Sequence, residues 1–108
     1  MTADSFTYKI WDCIDKMDKD VISIGDDIYC NPEIGFKEFR TSRLVADKFR
    51  SFGLKATEFD DIPGVKVTID TNREGPAVAI IGELDAVICR EHPDCDKDTG
   101  AVHACGHN

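Results

Sequence analysis

Residues 77–87 read AVAIIGELDAV, and this stretch decides the fold. Its first six residues are apolar with no polar alternation. A strand covered on both faces has this character, whereas a half-exposed strand alternates. The stretch therefore predicts a buried central strand of a sheet flanked by helices. Glu83 and Asp85 follow at its carboxyl end. On extended backbone, positions i and i+2 project to one side, and Leu84 projects to the other. Two carboxylates sharing a side at the end of a buried strand are costly unless something pairs with them. In α/β sheets, sites gather at the carboxyl ends of strands. A strand simply emerging into solvent is the competing reading.

The sequence on the amino-terminal side supplies helices. Residues 4–30 carry Ile10, Cys13, Ile14, Met17, Val21, Ile24 and Ile28 at three- and four-residue steps, one apolar stripe with the charges mostly off it. Asp4 or Ser5 is the expected N-cap. Cys13 and Cys30 fit this pattern as small buried apolar groups. Pro32 disfavours a helical Asn31 and ends the helix. A second helix is expected from Lys37 or Thr41 to Phe52, with Leu44, Val45, Phe49 and Phe52 on its buried side and Gly53 as its stop. Beyond Gly53 the period becomes two. LKATEF (54–59) and VKVTID (65–70) read as strands, and TNREGP (71–76) as a turn. The predicted order is helix, helix, a hairpin, the buried strand, then a long polar loop from Val87 to about Val102. Long loops of this kind are usually functional.

The 108 residues carry 13 basic and 21 acidic side chains, a net charge of −8. Nucleic acid and anionic membrane, which need a basic surface, are poor partners for such a chain. No apolar run approaches the ~20 residues of a membrane helix. The start, MTADSFTYKIWD, lacks the basic and apolar regions of a secretory signal. Five cysteines without such a signal favour a reduced, cytoplasmic setting.

Three of those cysteines, Cys89, Cys95 and Cys105, fall in the last fifth of the chain with all three histidines. The densest cluster is HACGH, residues 103–107. Thiolate and imidazole both suit zinc and similar ions, and Cys105 and His107 project to one side of an extended segment. Two such groups make half a metal site. Three completions stand at this level. One is a structural zinc site drawn from Cys89, His92, Cys95, His103, Cys105 and His107. Another is a Cys105 nucleophile activated by His103 or His107. The third is a catalytic metal site with further ligands from elsewhere.

Three stretches together, NPEIGFKEFRTSRLVADKFRSFGLKA, AVAIIGELDAV and TGAVHACGHN, resemble the metal-dependent amidohydrolases of peptidase clan MH. These are the relatives of aminoacylase, hippurate hydrolase and aminobenzoyl-glutamate hydrolase. The similarity runs in order along essentially the whole chain, and the last element is the most specific. GHN with the HPDCDKDTGA insertion is more similar to the aminobenzoyl-glutamate-hydrolase-like and dipeptidase-like branches than to the auxin-conjugate hydrolases.

The resemblance implies the amino-terminal part of a zinc-peptidase-like three-layer α/β/α catalytic domain, with residues 1–108 as an incomplete piece of it. It implies Cys105 and His107 as metal ligands and Asp85 as a residue supporting the site. Glu83 stands where other branches place a ligand histidine, so it is a further candidate, as is His103. Two divalent ions (Zn, Mn or Co), an N-acyl or N-aroyl amino acid or small dipeptide as amide substrate, and a homodimeric full-length protein are implied too. The family's general base and remaining ligands come later in its sequence. The chain alone is therefore expected to be inactive, and to leave AVAIIG with unpaired edges and exposed apolar faces. A small non-enzymatic zinc-binding or interaction module is the alternative.

Overall fold

The computed structural model describes residues 4–106. They form two compact units, Met1–Asn31 and Pro32–Asn108. The first is helix α1 (Ser5–Cys30). Asp4 caps it as expected, its side chain accepting the Thr7 amide at 2.8 Å and the Thr7 hydroxyl at 2.9 Å. These bonds stabilise the carboxylate form and hold the Asp4 pKa below its ordinary value. Asn31 closes the helix just before Pro32. No residue of α1 is buried, so the expected burial of Cys13 and Cys30 is corrected: both thiols are exposed. A single helix can display an apolar stripe but cannot bury it against itself.

In the second unit, helix α2 (Phe39–Ser51) packs against an antiparallel pair, β1 (Ala56–Glu58) and β2 (Val65–Val67). Gly53 takes a positive φ of 77° directly after the helix, the conformation that favours glycine at a helix end. The buried residues of α2 are Thr41, Ser42 and Ala46, small side chains that let the helix approach the hairpin. The buried Ser42 hydroxyl accepts the Gly64 amide at 3.0 Å. Leu44, Val45 and Phe49 are half-buried, and Phe52 is exposed rather than buried. Arg50 joins Asp47 at 2.9 Å and Glu58 at 2.7 Å, linking α2 to β1.

Two short strands follow, β3 (Val87–Ile88) and β4 (Ala101–Val102), paired antiparallel with Val87 opposite Val102. The predicted long loop is thus the connection of a narrow hairpin. On its other side the β3 segment meets Ile34 in a parallel bridge to Ala86. Ala86, Ala101, Val102 and Cys95 are buried here.

The mixed α/β character, with helices leading and a hairpin following, is as the sequence predicts. The buried central strand is not. Residues 77–82 form no strand, and Val78, Ile80 and Ile81 are 87%, 97% and 90% exposed. A strand buried on both faces needs a neighbour at each edge and a layer on each face. Among the described residues nothing pairs with this stretch. Its composition is that of a core strand, and its exposure is what the resemblance implies for these residues by themselves.

Candidate metal centre

Asp85 is the best-placed of the predicted site residues. It directly precedes Ala86, whose amide donates to the Glu33 carbonyl at 2.8 Å. That bond and the Ile34–Ala86 bridge bring the NPE element alongside the start of β3. The Glu33 side chain caps α2: it accepts the amides of Arg40 at 3.1 Å and Thr41 at 2.8 Å, and the Thr41 hydroxyl at 2.9 Å. The half-buried Asp85 is therefore held at a junction of helix and strand. A Cβ built on Gly35 would lie 4.0 Å from both Asp85 Oδ2 and Glu38 Oε1. Glu38, at the α2 cap, is 8% exposed.

The extended geometry expected to put Glu83 and Asp85 on one side is absent. No strand forms over residues 83–85, and Glu83 is exposed while Asp85 is half-buried. The i, i+2 rule applies to extended ladders, and here the ladder begins at Ala86.

His103 follows β4 directly and is 9% exposed. Its Nε2 is buried with no hydrogen-bond partner among the described residues. A buried polar group without a partner costs about 1–3 kcal/mol. The Cys105 thiol is exposed two residues on. His107, the other expected ligand, lies outside the described residues.

The remaining candidates serve the 89–100 connection. The buried Cys95 thiol donates to the Arg90 carbonyl at 3.4 Å. His92 Nδ1 accepts the Asp94 amide at 3.2 Å, so in the neutral ring the proton sits on Nε2. Cys89 Sγ lies 3.9 Å from Glu91 Oε2. Asp96 Oδ1 accepts the amides of Asp98 and Thr99 at 3.2 and 2.7 Å and the Thr99 hydroxyl at 2.6 Å. The Thr99 hydroxyl is the main cause of a lowered Asp96 pKa, and the Thr99 amide adds to it.

Among the described residues, no three His, Cys, Asp or Glu side chains converge as a cation-binding group. The self-contained zinc site drawn from Cys89, His92, Cys95, His103 and Cys105 is therefore not assembled within them. In kind, thiol and imidazole donors suit a borderline-soft divalent ion. In number, the described donors fall short of a closed site.

The chain is 35% identical to thermostable carboxypeptidase 2 of Saccharolobus solfataricus over 108 aligned positions, covering 90% of this chain and 28% of the relative. Its homologues are amidohydrolases and carboxypeptidases. IAA-amino acid hydrolase ILR1-like 2 of Arabidopsis thaliana is 34% identical over 91 positions, 82% of this chain and 20% of that protein. Hippurate hydrolase of Campylobacter jejuni is 32% identical over 88 positions, 79% of this chain and 23% of that protein. The chain thus spans about a quarter of the length of the curated relatives it matches. No family model matches it, and no solved structure does. Among the described residues, no helix is long and apolar enough to cross a membrane.

Proposed function

We propose that these residues are the amino-terminal part of the catalytic domain of a metal-dependent amidohydrolase. Its reaction is hydrolysis of the amide bond of an N-acyl or N-aroyl amino acid or small dipeptide. The supporting observation is the similarity to amidohydrolases and carboxypeptidases over most of the chain. Cys105 and His107 would hold divalent metal, with Zn, Mn or Co as the candidates and two ions in the full-length site. Bound metal would supply a water of lowered pKa and charge stabilisation at the amide carbonyl.

The chain's own residues then have separable tasks. Cys105 contributes a thiol, the softest donor, at an exposed position close behind β4. Asp85, tied down through the Ala86–Glu33 bond, supports the site from the β3 side. His103 offers its orphaned Nε2. Glu83 is retained as a candidate. The reading extends to a cytoplasmic enzyme that dimerises at full length. Within 108 residues it has no general base, so the chain alone is inactive.

The test is metal titration of the purified chain and of Cys105→Ser, with a parallel assay for hydrolysis of N-acetyl amino acids. Weak binding that the substitution abolishes, without turnover, is the expected result. Metal-dependent turnover would overturn the inactivity. Tight stoichiometric zinc lost with Cys105 would move the assignment to a self-contained zinc module.

A further inference from the structure

We draw no further inference here: the strongest candidate, the exposed apolar stripe of α1 carrying Ile10, Ile14, Met17 and Val21, is a helix face that nothing among the described residues packs against, and nothing in the structure shows what covers it.

Discussion

Glu33 and Thr41 are joined twice: one carboxylate oxygen accepts both the Thr41 amide at 2.8 Å and the Thr41 hydroxyl at 2.9 Å. A helix begins with four amides lacking internal partners. Glu38, at the cap position of α2, makes no side-chain cap bond, so Glu33 supplies the acceptor from five residues earlier. Its own carbonyl receives Ala86, next to Asp85. Removing the side chain strands the amides of Arg40 and Thr41. Glu33→Ala should cost about 1–3 kcal/mol, and Glu33→Gln less, because its amide oxygen still accepts. Urea unfolding of the chain measures both. An alanine variant as stable as the parent would show that α2 does not depend on this clamp.

The Ser42 hydroxyl is the buried counterpart of that clamp, accepting the Gly64 amide and thereby fixing α2 to the turn between β1 and β2. Ser42→Ala leaves a buried amide without an acceptor, at about 1–2 kcal/mol. Hydrogen exchange localises the effect: the Gly64 amide should exchange faster in the variant while amides in the middle of α1 keep their rates. Unchanged Gly64 exchange would contradict the bond.

Asp96 gives the 89–100 connection a pH dependence whose sign is fixed. Its folded pKa lies below its ordinary value of 3.8, chiefly because the Thr99 hydroxyl, and then the Thr99 amide, donate to the charged form. The stabilisation is present above 3.8 and is lost as pH falls through the lower folded value. The Thr99 amide resonance should therefore hold its position on acidification to about pH 4 and move below it. In Asp96→Asn that titration should vanish. Titration of Thr99 above the ordinary carboxylate range would mean that another group controls the turn.

The local elements were legible in the sequence because their causes are local. Asp4 caps α1, Pro32 follows its end, Gly53 follows α2, and the period-two runs become β1 and β2. Burial was less legible, because it depends on what packs against an element. Cys13 and Cys30 sit at apolar positions of a helix that buries nothing, and Phe52 lies just past the end of α2. The site divides the same way. Asp85 was singled out as a candidate from the end of an expected strand that does not form, and the bond that ties its neighbour Ala86 to Glu33 joins residues some fifty apart.

The AVAIIG stretch yields the sharpest separation between composition and environment. Its side chains look like a core, yet Ile80 is 97% exposed. A lysine at a core position would leave a buried unpaired charge and cost several kcal/mol. At an exposed position the same change should lie within about 0.5 kcal/mol. Ile80→Lys is therefore expected to leave the unfolding midpoint of the chain unchanged. It should also reduce self-association, because an uncharged apolar stretch with free backbone groups pairs readily with other chains. Urea unfolding and light scattering at matched concentration read the two effects. A large loss of stability in Ile80→Lys would place residues 77–82 in a buried strand.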